Sequence, residues 1–194
     1  MGCFFMEKQK NKTLLRMVTT GMMSALAVVL MFLVRVPLLP SANFLEYDMG
    51  DLPVILSTLF IGYPHGMAVL LFVSAVQSLT VSASSNWPGF VMHILSTGCY
   101  VLIVYLFMRH SDSIKRLIVA VITATAALSL VMIPLNLIFT PIYMSVPVEA
   151  VIELILPAIL PFNILKGVIN SVITVALYPA LKKILTKSDL LLRK

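Results

Sequence analysis

Charged residues are scarce in this chain. Only 11% of its 194 residues are Asp, Glu, Lys or Arg, whereas 60% are hydrophobic and the mean hydropathy is +1.03. A soluble globule of this length could not cover its surface with so few polar groups. The scarcity of charge therefore excludes a soluble domain and predicts an integral membrane protein.

Several chemical motifs are also missing. The sequence contains no GxxxxGK[ST] loop, so it lacks that cradle for nucleotide phosphates. His65, His93 and His110 are scattered, without the spacing of metal ligands. No nucleophile and base stand at a workable spacing. We therefore expect no ATP hydrolysis by this chain, no metal, no cofactor and no enzymatic activity.

The uncharged stretches are long. Residues 17–34 and 52–108 contain no Asp, Glu, Lys or Arg, and a membrane-spanning helix needs about 20 apolar residues. The apolar runs are continuous rather than alternating, which favours helices over a β-barrel. We predict an all-α integral membrane protein, a compact bundle of six transmembrane helices. Their predicted bounds are about 13–34, 52–63, 66–79, 88–108, 117–143 and 155–184.

The distribution of charge predicts the orientation of this bundle. With the amino terminus inside, six spans place nearly all of the 14 basic residues on the cytoplasmic side and most of the eight acids outside. Both termini are therefore predicted to be cytoplasmic. Residues 1–12 and 185–194 form the predicted tails, and residues 13–184 form the transmembrane domain.

Lys166 is the only charged residue between Glu153 and Lys182. A cation at membrane depth costs several kcal/mol, so it normally faces a bundle interior or an aqueous cavity. Asn163 and Asn170 stand three residues before and four after it, on the same helical face. This face predicts a polar ligand site. The sequence does not decide which group pairs with Lys166. The candidates are Glu46, Glu149, Glu153, a backbone carbonyl and the ligand itself.

The first outer loop, residues 35–51, is long for so small a protein and mixes acids with aromatic residues. Loops of this kind are often lids, so we predict a lid. The alternative is a solvated connector in which Asp51 caps the second helix.

Two further polar residues are candidates for a cavity. Asn136 lies between Pro134 and Pro141 in the fifth span, where an interrupted helix can line a cavity, although an interhelical hydrogen bond is the alternative. His93 either reaches an outer pocket or packs as an ordinary hydrogen-bonded imidazole. Amides, a cation and an aromatic lid together indicate a site for a small, flat, polar molecule.

Two motifs carry a resemblance. The stretch FLEYDMGDLP at 44–53 and the stretch PFNILKG at 161–167 together resemble the riboflavin-binding S components of bacterial energy-coupling-factor (ECF) vitamin transporters, over residues 8–185. The resemblance implies a multi-pass protein of the bacterial plasma membrane that captures riboflavin with high affinity. It also implies a transmembrane coupling protein and two cytoplasmic ATPases as partners, which hydrolyse the ATP.

The resemblance also implies site residues. The expected ligand contacts are Leu45, Glu46, Tyr47, Asp48, Asn136, Asn163 and Lys166. The first helix is expected to dock on the coupling protein through small residues, here Gly21, Ser24 and Ala25, because small side chains let another helix approach closely.

Three alternatives remain at this point. The chain could be an S component for another vitamin. It could be a self-sufficient ion-coupled carrier, although such a carrier is expected to hold a second intramembrane charge, and the sequence shows none. A membrane enzyme or a purely structural bundle would lack high-affinity vitamin binding altogether.

Overall fold

The computed structural model describes the backbone of residues 2–40, 45–83 and 85–187, and the side chains of residues 12–40, 45–83, 85 and 87–186. Helices dominate this part of the chain. The helices are α1 (Gly2–Leu33), α2 (Asp51–Phe60), α3 (Tyr63–Leu79), α4 (Asn86–Met108), α5 (Ile114–Met144), α6 (Val148–Leu154) and α7 (Leu160–Lys187). A π-helical turn, Ile155–Ile159, joins α6 to α7, and two short strands, β1 (Arg35–Pro37) and β2 (Glu46–Asp48), precede α2.

Each predicted helix has a counterpart, which confirms the helical class. Within the described residues, four helical segments are long and apolar enough to cross a membrane, and α2 and α3 are shorter apolar helices. Large apolar side chains such as Met22, Ile122 and Val172 are more than 60% exposed on the outside of the bundle. Soluble proteins rarely present so much contiguous apolar surface, whereas lipid-facing helices require it.

Helix α2 lies at the centre of the bundle. All 10 of its residues are buried, and it packs against α1, α3, α4 and α7. A helix of this length rises only about 15 Å, too little to cross a bilayer. Because neighbouring helices surround α2, both its ends are buried in protein, and residues 45–50 before it are buried or half-buried.

The connection between α2 and α3 is very short. Gly62 has a φ of 132°, a conformation that favours glycine, and α3 starts at Tyr63 with Pro64 in its first turn. The predicted tight turn is confirmed, although the helix begins earlier than the predicted Gly66. A Cβ on Gly66 would lie 1.9 Å from Thr58 Oγ1 and 3.1 Å from Thr58 Cα. Gly66 therefore permits close packing of α2 against α3.

Replacing Gly66 with alanine is expected to destabilise the protein by about 1–3 kcal/mol, because the new methyl group overlaps both the side chain and the backbone of Thr58. Gly21→Ala is the matched control, since a Cβ there meets nothing within 4 Å and alanine favours a helix. Unfolding midpoints in detergent check the pair. Equal midpoints for the two variants would contradict the close-packing role of Gly66.

Two further predicted boundaries are wrong. Helix α1 extends back to Gly2, so the backbone of residues 2–12 continues the first helix. The sixth span begins at Val148 rather than Ile155 and runs to Lys187, and the tail beyond it lies outside the described residues. Pro157 falls within the π-helical turn, where the helix changes its hydrogen bonding without ending.

Candidate functional site

The first outer loop folds back onto the bundle. Strands β1 and β2 pair antiparallel, with Arg35 opposite Asp48 and Val36 opposite Tyr47. Leu45 and Tyr47 are buried in one apolar cluster with Phe162 and other residues of α6, the π-helical turn and α7. The solvated-connector alternative is therefore wrong for residues 45–51. Residues 41–44 of the predicted lid, including Phe44, lie outside the described part.

A cavity of about 430 Å³ lies beneath this hairpin, between α3, α4, α5 and α7. Its volume falls within the range of about 300–1,000 Å³ that is usual for small-molecule sites. Tyr47 is the one residue of the predicted ligand set that does not line it. The predicted residues that do line it are Leu45, Glu46, Asp48, Asn136, Asn163 and Lys166.

The two cavity asparagines are held by their own helices. Asn163 Nδ2 donates to Ile159 O at 2.7 Å, and Asn136 Nδ2 donates to Met132 O at 2.7 Å. Thr140 Oγ1 donates to Asn136 Oδ1 at 2.9 Å. These bonds orient both amides at the cavity wall. The bonds of Asn136 lie within α5, which does not support the alternative of an interhelical bond.

Lys166 forms an ion pair with Asp51, the first residue of the central helix α2. Its Nζ lies 2.9 Å from Asp51 Oδ2, and the two side chains are 12% and 2% exposed. The sequence-based candidates Glu46, Glu149 and Glu153 are therefore wrong as partners of Lys166. The predicted capping role of Asp51 is also wrong, because Gly50 occupies the N-cap position and the helix start has no side-chain capping bond. Asp51 points into the bundle instead.

Asp51 makes two further contacts. His93 Nε2 lies 2.7 Å from Asp51 Oδ1, and Thr97 Oγ1 donates to the same oxygen at 3.3 Å. An ionised carboxylate can only accept hydrogen bonds, so His93 Nε2 is the donor in this contact. The other ring nitrogen, Nδ1, lies 2.9 Å from Ser74 Oγ. Residues of α4 and α7 thus meet at the carboxylate of α2, and α3 adds Ser74 behind the imidazole. His93 also lines the cavity, which is one of its two predicted placements.

Tyr47 fastens the hairpin to α7. Its hydroxyl donates to Asn170 Oδ1 at 2.9 Å, and burial, with a smaller contribution from the charge of Asp51, raises the pKa of Tyr47 to about 12. The hydroxyl therefore keeps its proton at neutral pH and remains a donor. Asn163, Lys166 and Asn170 face the interior together, as their spacing predicts.

Polar contacts between residues of the cavity lining join the hairpin to α3 and to the turn after it. Arg35 forms an ion pair with Glu46, and its Nη1 donates to Val81 O at 2.6 Å. Gln77 Nε2 donates to Asp48 Oδ2 at 3.1 Å. These contacts attach both strands to α3 and to the turn that follows it.

Residues 15–178 match the family described as ECF transporter, substrate-specific component. The chain belongs to this family. A solved structure entitled "Structure and mechanism of the S component of a bacterial ECF transporter" has a TM-score of 0.73 and 30% identity, covering 88% of this chain and 96% of that one. The resemblance that the two sequence motifs carry is thereby confirmed.

Curated relatives are named for one vitamin. The riboflavin transporter RibU of Lactococcus lactis subsp. cremoris (strain NZ9000) is 31% identical over 131 residues, 66% of this chain and 64% of that protein. The match thus spans slightly less than two-thirds of the Lactococcus protein. The riboflavin transporter RibU of Staphylococcus aureus (strain TCH60) is 31% identical over 137 residues, 70% of this chain and 69% of that one.

Of the three residues of α1 that were predicted to dock on a coupling protein, two are exposed and one is buried. Gly21 and Ala25 are exposed, beside apolar Met22 and Leu26. Ser24 is buried, and its hydroxyl donates to Thr20 O at 3.0 Å. A partner helix could approach over Gly21 and Ala25, whereas Ser24 faces the bundle.

Proposed function

We propose that this S component captures riboflavin with high affinity in the cavity beneath the hairpin. The observation that carries the proposal is the wall that Lys166, Asn163 and Asn136 form opposite Leu45 and the acids of β2. Relatives named riboflavin transporters support the choice of vitamin.

The chemistry of the cavity suits a flavin. The ring system of riboflavin is flat and uncharged, and its pyrimidine edge carries carbonyl groups and an N–H. Leu128, Met132 and Phe162 supply apolar surface for the ring faces. The Lys166 ammonium can donate to a carbonyl, and the asparagine amides can bind the pyrimidine edge or the ribityl hydroxyls.

Transport requires energy from partners in this proposal. The chain binds the vitamin from outside, and a transmembrane coupling protein with two cytoplasmic ATPases drives uptake. Both termini lie in the cytoplasm of the bacterial cell, as the distribution of basic residues predicts. The exposed Gly21 and Ala25 of α1 form the docking surface for the coupling protein.

Riboflavin titration of the detergent-purified chain tests the proposal. We expect a flavin absorption spectrum from copurified ligand, or saturable quenching of flavin fluorescence at about one ligand per chain. Thiamine and pyridoxine serve as control vitamins. A colourless protein that leaves flavin fluorescence unchanged would contradict the choice of riboflavin and direct the same titration to those vitamins.

A second candidate function is that of an ion-coupled carrier, and the position of Asp51 favours it. Sequence reasoning placed Asp51 in the outer loop, but it lies in the bundle interior and supplies the buried acid that such a carrier is expected to hold. Proteoliposomes that contain this chain alone separate the two mechanisms. We expect no riboflavin accumulation under a proton or sodium gradient. Accumulation without any ATPase would favour the carrier.

A further inference from the structure

Asp51 lies behind the cavity wall rather than on it. Lys166 and His93 line the cavity, whereas Asp51 does not, although it contacts both of them. The carboxylate is 2% exposed in its side chain. Asp51 can therefore influence a bound ligand only through the residues in front of it.

The position of Lys166 depends on this acid. A lysine side chain is a flexible four-carbon stem, so its ammonium can occupy many positions unless a partner selects one. In the bundle interior, an ammonium without a counter-charge carries a large desolvation cost. The 2.9 Å contact with Asp51 Oδ2 supplies the counter-charge and selects one position at the cavity wall.

The carboxylate of Asp51 is itself oriented. Oδ2 faces Lys166, while Oδ1 accepts from His93 Nε2 and from Thr97 Oγ1. Ser74 Oγ lies against the far nitrogen of the imidazole and fixes the ring. Rotation of the carboxylate would break contacts to two helices at once, so both oxygens have set roles.

We infer that Asp51 is a positioning residue for the ligand, which holds the Lys166 ammonium at the cavity wall, and that His93 and Ser74 hold Asp51 in turn. This inference rests on the proposed function. It also narrows the ligand class. Because Asp51 already balances the charge of Lys166, the favoured ligand is an uncharged ring with carbonyl acceptors rather than an anion.

A double-mutant cycle tests the inference. Riboflavin Kd is measured by fluorescence quenching for the wild type, Asp51→Asn, Lys166→Ala and the double variant. We expect Asp51→Asn to weaken binding at least about tenfold in the wild-type background but by less than about twofold in the Lys166→Ala background. An equal loss in both backgrounds, or no loss in either, would overturn the inference, because Asp51 would then not act through Lys166.

A second pair of variants covers the case in which Asp51→Asn does not fold. His93→Gln keeps an N–H donor for Asp51, whereas His93→Ala removes it. We expect His93→Gln to bind within about threefold of the wild type, and His93→Ala to bind more weakly, with the difference disappearing in the Lys166→Ala background. Equal affinities for His93→Ala and His93→Gln would contradict the role of His93.

Asp112→Asn is the matched control, because Asp112, in the connection between α4 and α5, pairs at 3.7 Å with Lys182, which lies on the same helix as Lys166 but outside the cavity lining. We expect it to leave riboflavin Kd unchanged. Failure of the wild type to bind riboflavin would overturn the proposed function together with the positioning role for that vitamin. Wild-type binding with additive variant effects would overturn the positioning role alone.

Discussion

Lys166→Ala is expected to weaken riboflavin binding at least about thirtyfold, the effect of roughly 2 kcal/mol or more for truncating one member of a buried charge pair. The variant removes the ammonium from the cavity wall and leaves Asp51 with its contacts to His93 and Thr97 but without its lysine partner. Fluorescence titration of the purified variant gives the Kd.

Lys182→Ala is the matched control for Lys166→Ala. Lys182 lies on the same helix, but its contacts are to Asp112 and to the ring of Tyr178, far along α7 from the cavity lining. We expect a Kd within about twofold of the wild type, since exposed ion pairs contribute little. A Lys166→Ala protein that elutes as a folded species and binds riboflavin as the wild type does would refute the assignment of Lys166.

Asn163→Ala is expected to weaken riboflavin binding by about 5- to 100-fold. The change removes an oriented amide from the cavity wall, and a ligand group left without its hydrogen-bond partner in a buried site costs about 1–3 kcal/mol. The loss is measured by the same titration, with the unfolding midpoint as a check, because Ile159 O also loses its side-chain donor.

Ile164→Ala provides the control for Asn163→Ala. Ile164 is the next residue of α7, is 44% exposed and lies outside the cavity lining. We expect its Kd to match that of the wild type. If Asn163→Ala and Ile164→Ala shift the Kd equally, the effect comes from general loosening of α7 and the contact assigned to Asn163 is wrong.

Local periodicity predicted the polar face of α7. Asn163, Lys166 and Asn170 lie three and four residues apart, and helical geometry alone places them together. The structure shows all three facing the interior, toward the cavity or toward Tyr47. Which residues share one face of a helix can therefore be predicted without knowing how the rest of the chain folds.

The start of the sixth span was predicted less well. The predicted start of the sixth span was about Ile155, whereas the helix starts at Val148, after Pro147 and with Glu149 in its first turn. The helix passes Pro157 by a π-helical turn, a change that depends on neighbouring helices satisfying the freed backbone groups. The sequence around Pro157 does not show which neighbouring helices pack there.

The sequence by itself determined the membrane class, the approximate positions of the helical segments and the one cation that needs a buried site, because these follow from charge content and from spacing along a helix. Only the tertiary structure showed that Asp51 forms the ion pair with Lys166 and that Tyr47 forms a hydrogen bond with Asn170. These pairs are separated by more than 100 residues along the chain. The first contact forms because α2, too short to span a bilayer, packs at the centre of the bundle and brings its first residue against α7. The second forms because strand β2, just before α2, places Tyr47 against the same helix.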